Sequence, residues 1–176
     1  DGSQWLSGLG NYVYNDKKWR KIATVAEDYS FPYTQLFSFV TEYCSLGGQI
    51  SEKFWVPLGT KDFASIIAKL PDDVDAIYLG LGGGDAVNFF NQYAQAGGKA
   101  KLIGGSIMAD PTVLSSKGKA KDALVGTPSS GWIANDNPAA GTPLVAASTA
   151  AVPAAAVSEP EPSAEAAAAE TRGPRE

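Results

Sequence analysis

The chain predicts an α/β fold, a doubly wound parallel sheet of five strands with helices on both faces. Three observations predict it. Short apolar runs with β-branched residues, as in 22–26 (IATVA) and 74–81 (VDAIYLGL), suit strands buried on both faces. Stretches with helical spacing alternate with these runs, and the connections are short. Glycine pairs, Gly47-Gly48 and Gly97-Gly98, close the two longest helical stretches as helix C-caps do.

Taken in order, Trp5, Leu9, Tyr12 and Val13 recur at helical spacing, so residues 3–15 read as a helix. Asp16-Lys17-Lys18 is a polar break before the first strand, 22–26. That strand stops at the polar and aromatic turn Glu27-Asp28-Tyr29-Ser30-Phe31-Pro32. A helix over 33–46 follows, its apolar face made of Tyr33, Leu36, Phe37, Val40, Tyr43 and Cys44. Residues 49–57 form a second strand, placed near the sheet edge because it is more polar. Thr60 is positioned to cap a helix that carries Phe63, Ile66, Ile67 and Leu70 and ends at Pro71. The third strand, 74–81, runs into Gly82-Gly83-Gly84, where Asp85 is positioned to cap a helix with Phe89, Phe90, Tyr93 and Ala94. A short strand over 101–105 leads to Ser106, and a brief helix fits 110–116. Ala123-Leu124-Val125-Gly126 is the fifth strand.

Residues 1–138 thus form one domain. In residues 139–176 alanine and proline dominate and no aromatic residue occurs. Such a segment buries too little apolar surface to offset its ordering entropy, so a disordered tail is expected. The net charge is −5, and no lysine–arginine cluster interleaves with aromatics, which argues against nucleic-acid binding. Histidine is absent, which removes Ser-His-Asp, Cys-His and histidine–metal chemistry together. Cys44, the single cysteine, cannot form an internal disulfide and reads as a small core residue. No apolar run approaches the roughly 18 residues that span a membrane. The chain starts at Asp1 with no signal-like segment, and its only methionine is Met108, so either its front has been removed or it belongs to a longer protein.

Residues 80–85 (GLGGGD) stand where a phosphate-cradling loop would, at a strand-to-helix turn. A dinucleotide fingerprint needs glycine where Asp85 stands, an anion there repels phosphate, and no GxxxxGK[ST] occurs. No cofactor is expected; the glycines read as backbone that a ligand or neighbouring lobe approaches closely. Asp72, Asp73 and Asp75 read as a solvated turn rather than a metal site. Glu27 and Asp28 lack an accompanying nucleophile or electrophile, so no catalysis is expected.

The collective pattern is stronger. The loops 27–32, 82–85 and 105–108 each follow a buried strand, and a doubly wound sheet brings such loops to one crevice. They offer the Asp28 carboxylate, the aromatic faces of Tyr29 and Phe31, bare backbone at Gly83 and Gly84, and the Ser106 hydroxyl. That inventory suits small-molecule binding, against the blander reading of βα loops that hold nothing.

Gly8-Leu9-Gly10 with Tyr12, the strand into Ala26-Glu27-Asp28-Tyr29-Ser30-Phe31, the run from Trp55-Val56-Pro57-Leu58-Gly59-Thr60 to Lys61-Asp62-Phe63, and Gly84-Asp85-Ala86-Val87 follow in that order. In order and spacing, residues 3–138 resemble the second lobe of a branched-chain amino-acid-binding protein. These are type I periplasmic solute-binding proteins that feed ABC importers. The resemblance implies a flavodoxin-like lobe hinged to a first one, with the ligand's amino and carboxylate groups between them. It also implies a periplasmic location and ABC transporter membrane subunits that read cleft closure. By position, Phe31 matches a ligand-packing aromatic that is usually Tyr, Gly83 falls near a second aromatic position, and Ser106 near the acidic residue that receives the ammonium group in leucine-type binders.

The departures from that pattern shape the expectation. Without that carboxylate a buried ammonium needs another partner, Glu27 or Asp28, or the ligand is an aromatic or amide-like acid. The first lobe would precede Asp1 and the return crossing would follow Pro138, so a truncated or split product is expected, whose half cleft binds poorly. The alternative function is a ligand-sensing or interaction domain of the same fold that regulates a partner.

Overall fold

The computed structural model describes residues 4–129; the expected tail over 139–176 and the domain boundary at 138 lie outside the described residues. In chain order the elements are α1 (Leu9–Asn11), β1 (Lys21–Glu27), α2 (Ser30–Ser45), β2 (Gln49–Val56), α3 (Ala64–Ile67), β3 (Ala76–Gly80), α4 (Gly83–Gln95), β4 (Lys101–Gly104), α5 (Pro111–Leu114) and α6 (Lys119–Leu124). The four strands are all parallel, in the order β2-β1-β3-β4. β1 and β3 are central and buried nearly throughout, which is why they read as continuous apolar runs. β2 is an edge strand with only Val56 buried, as its polarity suggested.

The pleat sends alternate residues to two cores. Ile22, Tyr78 and Ile103 face α1 and α2, where Phe39 lies between the rings of Tyr43 and Tyr78. Val25, Leu79 and Leu102 face the other side, against Phe89, Phe90 and Tyr93 of α4, with Ala120 and Leu124 of α6 beyond. Helices on both faces of a parallel sheet confirm the doubly wound class. The glycine pairs act as read: Gly47 and Gly97 take positive φ, and Gly48 and Gly98 donate back to the carbonyls of Tyr43 and Tyr93.

Several expected elements differ. The fifth strand is absent from 123–126, because Ala120 and Leu124 share a helical face packed on α4 and the helix runs to Leu124. The strand position beside β4 is touched later, by a single parallel bridge from Ser129 to Gly104. The expected helix over 3–15 is broken into a 3-10 turn, α1 and a π turn. Gly8 adopts φ +87 at the break, and the amides of Gly8 and Gly10 both donate to Glu42 of α2. A Cβ on Gly10 would lie 2.8 Å from the backbone nitrogen of Tyr43, so these glycines let the segment press against α2.

Helix α2 starts at Ser30, earlier than spacing suggested, and its buried side is turned: Pro32, Gln35, Leu36, Phe39 and Tyr43 face in. Cys44, expected in the core, is exposed, as are Tyr33 and Phe37. An apolar stripe wider than one face left the helix rotation undecided, and stacking of Phe39 between Tyr43 and Tyr78 decided it. Thr60 does not cap α3. Its hydroxyl donates to the Pro57 carbonyl, and the short helix starts after Phe63, with Asp62 accepting from the Ala64 amide. Asp72, Asp73 and Asp75 form the expected polar turn, at the strand ends remote from the crevice. There Asp75 accepts from the amides of Arg20 and Lys21, and Asp73 pairs with the Lys21 ammonium.

Candidate functional site

The loops that leave the carboxyl ends of β1, β3 and β4 converge, as the topology of an open parallel sheet requires. They surround a depression of about 490 Å³ lined by Glu27, Tyr29, the glycines 82–84, Asp85 and Ser106, with Trp5, Leu58, Ile107 and Asp110 at its sides. Larger depressions of about 740 and 900 Å³ lie near Ala100, at the opposite ends of the strands, and no predicted site residue lines them.

The two acidic side chains that line the crevice floor, Glu27 and Asp85, are held by backbone amides. Glu27 closes β1 and is 1 % exposed. Its Oε1 accepts from the Gly82 amide at 3.0 Å, which ties the end of β1 to the turn after β3. Burial pushes its carboxyl above the ordinary value; the Gly82 amide opposes this, Asp85 adds to it by repulsion, and a hydrogen bond from Tyr29 pulls it down. Burial raises the Tyr29 phenol in turn, with Glu27 adding to it.

Asp85 does not cap α4, whose N-cap is Gly82. It stands in the first turn and reaches across to the β2–α3 loop, where its Oδ2 accepts from the amides of Gly59 at 2.7 Å and Thr60 at 3.0 Å. The reason is geometric: extended Gly82 is the N-cap, so the helix begins three residues earlier than a side-chain cap at Asp85 would allow. A Cβ on Gly83 or Gly84 would meet nothing within 4 Å, so both present bare backbone to open space.

Beneath the β4 loop lies a polar cluster inside the α2 core. Gln35, fully buried, donates from Nε2 to the Ser106 hydroxyl oxygen. Gly105 makes room for it: a Cβ there would lie 2.7 Å from the Tyr78 hydroxyl and 2.9 Å from Gln35 Oε1. Ser129 donates to the Gly105 carbonyl at 2.9 Å, fixing the loop from the other side.

Of the residues singled out from sequence, Tyr29, Gly83, Gly84 and Ser106 line the crevice together. Phe31 stands one layer back, half-buried and edge-on to Trp5 with ring centroids 6.1 Å apart. Asp28 is exposed and accepts from the Tyr33 hydroxyl, outside the lining. Glu27 and Asp85 fall within the crevice loops expected from sequence, Glu27 weighed there as an acid/base group and as a substitute carboxylate and Asp85 as a helix cap, whereas Gln35 and Trp5 are not marked as parts of the site. Gln35 carries a signal, a lone amide beside an apolar helical stripe; Trp5 carries none, because its position depends on how the broken N-terminal helix folds back. Among the described residues no group of three or more acidic or sulfur ligands could hold a metal, and no helix is long and apolar enough to cross a membrane.

Comparison with known proteins bears on the fold and the family. No curated protein matches the chain. Among solved structures, a solute-binding protein of an ABC transporter from Rhodopseudomonas palustris BisB5, in complex with 3,4-dihydroxybenzoic acid, is 29% identical with a TM-score of 0.64; the match covers 72% of this chain and 35% of that one. A second R. palustris solute-binding protein, in complex with benzoate, is 20% identical with a TM-score of 0.67, covering 78% and 38%. A leucine-binding protein from Thermotoga maritima MSB8 is 19% identical with a TM-score of 0.63, covering 78% and 39%. The latter two likenesses are of fold. The chain spans little more than a third of the length of these structures. The sequence profile described as periplasmic binding protein matches residues 1–171, and the chain therefore belongs to the periplasmic binding protein family, whose solved relatives here are ABC-transporter solute-binding proteins rather than enzymes.

Proposed function

We propose that this chain supplies one wall of the ligand cleft in the solute-binding component of an ABC importer. The solute is a small amino, aromatic or amide-like acid, held at the crevice between this lobe and a first lobe. The observation that carries the reading is the convergence of three βα loops on one depression that combines buried polar groups with bare glycine backbone. Tyr29, Gly83, Gly84 and Ser106 are the groups that touch the ligand, Phe31 braces the wall through Trp5, and Asp28 stands at the rim. The relatives' ligands, 3,4-dihydroxybenzoate, benzoate and leucine, bracket the solute class. In this reading the protein works in the periplasm and hands its solute to the membrane subunits of the importer.

The test is calorimetric or NMR titration of the chain with those three solutes, beside a Gly84→Tyr variant. The new ring projects into the crevice, and replacing a helical glycine does not weaken α4. Weak but saturable binding, as a single wall of the cleft gives, that disappears in the variant with its melting temperature kept, is the expected result. Absence of saturation with all three solutes, or binding indifferent to Gly84→Tyr, overturns the assignment.

A further inference from the structure

The crevice carries more chemical information than its shape, and the selectivity inferred for it rests on the proposed role in solute capture. Among the described residues its lining contains Glu27, Asp85 and Asp110 but neither lysine nor arginine. A carboxylate on the solute would therefore face like charge on this wall. An ammonium would suit the acids, but it would also have to lie against Ser106, and the direction in which that hydroxyl points is decided from behind.

Gln35 decides it. Its amide has two different ends, and both are buried in the α2 core. The Tyr78 hydroxyl and Gln35 Oε1, both buried and without a hydrogen-bond partner among the described residues, stand on the same side of Gly105. The amide nitrogen is the end of Gln35 that faces Ser106. The Ser106 oxygen accepts from Gln35, so its own proton is left for the crevice. Behind an ordinary serine the hydroxyl rotates to suit its visitor; here the buried amide holds it as a donor.

We propose that Gln35 is a positioning residue that fixes Ser106 as a hydrogen-bond donor, and that Glu27 is the matching acceptor. The wall then selects a solute whose inserted group is neutral and both accepts and donates: a hydroxyl or a carboxamide. Such a group accepts from Ser106 and donates to the Glu27 oxygen. An ammonium has to share the Ser106 oxygen with the Gln35 amide, one donor beside another, and a carboxylate leaves Glu27 opposed acceptor to acceptor. Buried mismatches of this kind cost far more than a missing contact.

Four probes separate the possibilities on the chain: 3,4-dihydroxybenzoate for the hydroxyl, benzamide for the carboxamide, benzoate for the bare carboxylate, and leucine for the ammonium. Titration is expected to show the hydroxyl or amide probe binding at least about tenfold more tightly than benzoate and leucine. Which of those two wins names the group. Ser106→Ala is expected to remove that preference, and Gln35→Glu, which accepts from Ser106 and so reverses it to an acceptor, to move preference toward leucine. One readout needs neither solute nor a variant at position 35: the Gln35 side-chain amide protons are expected to exchange slowly and to shift in Ser106→Ala. Benzoate or leucine binding as tightly as the hydroxyl and amide probes overturns this inference and leaves the capture reading standing, as does a Gln35 amide indifferent to Ser106→Ala. No binding by any probe overturns both.

Discussion

Both ends of β1 use carboxylates to anchor backbone amides, yet the two ends differ in what balances the charge. At the start of the strand Asp75 accepts from the amides of Arg20 and Lys21, and the Lys21 ammonium pairs with the neighbouring Asp73. At its finish Glu27 accepts from Gly82, and Asp85 from Gly59 and Thr60, but among the described residues no lysine or arginine lines the crevice that they face. The first end is solvated and electrically closed. The second is buried and leaves hydrogen-bonding capacity toward the cleft, which is the condition for recognising something that arrives from outside.

That contrast can be broken from either end. The largest stability effect is expected at Asp85. Asp85→Ala strands two amides beneath the crevice, and a loss of about 1–3 kcal/mol is expected in urea denaturation. A loss within error would mean that water replaces the carboxylate and that the β2–α3 loop is not held by it.

The corresponding Asp75→Ala acts where solvent reaches both amides, and about 1 kcal/mol or less is expected. A cost equal to that of Asp85→Ala would erase the distinction between the two ends.

Glu27 sharpens the comparison through pH. Its carboxyl is raised in the folded state, so the native chain holds the proton more tightly than the unfolded one. The stability this contributes is fully present below the ordinary value of 4.5 and is lost as pH rises through the folded value. Glu27→Gln keeps an acceptor for the Gly82 amide and removes the titration. The variant is expected to be the more stable at neutral pH, with a flatter stability profile upward from pH 4.5. A profile that matches the parent chain would mean that Glu27 is not the group being desolvated.

The smallest effect belongs to the outer ion pair. Lys21→Met is expected to leave the denaturation midpoint nearly unchanged, and unchanged altogether in high salt, because Asp73 is solvated. A clear destabilisation that salt does not remove would show that this end, too, depends on a specific charge.

How much of this is legible from sequence can be judged from particular residues. The buried runs of β1 and β3 announce parallel central strands because both of their faces are covered, and a period-free apolar run is the direct imprint of that burial. The glycine pairs announce helix ends because positive φ is a local demand. The three crevice loops follow from the strands, so Tyr29, Gly83, Gly84 and Ser106 are found together. Gln35 and Trp5 are not, because each acquires its role from a contact far away in the chain: Gln35 from Ser106, and Trp5 from the way Gly8 and Gly10 fold the first segment onto α2.

By itself, then, the sequence determined the alternation of buried strands and helices, the doubly wound class and the end of the strands at which the crevice loops converge. Those properties are written in burial and backbone demands that each residue expresses locally. Tertiary structure alone decided which side of α2 turns inward, that 119–124 packs as a helix where a strand was expected, that Asp85 reaches across to the β2–α3 loop, and that Ser106 is backed by an amide. In each of these a local preference was nearly balanced between two outcomes, and the partner that tipped it lies in another element, brought near only when the two cores close around the sheet.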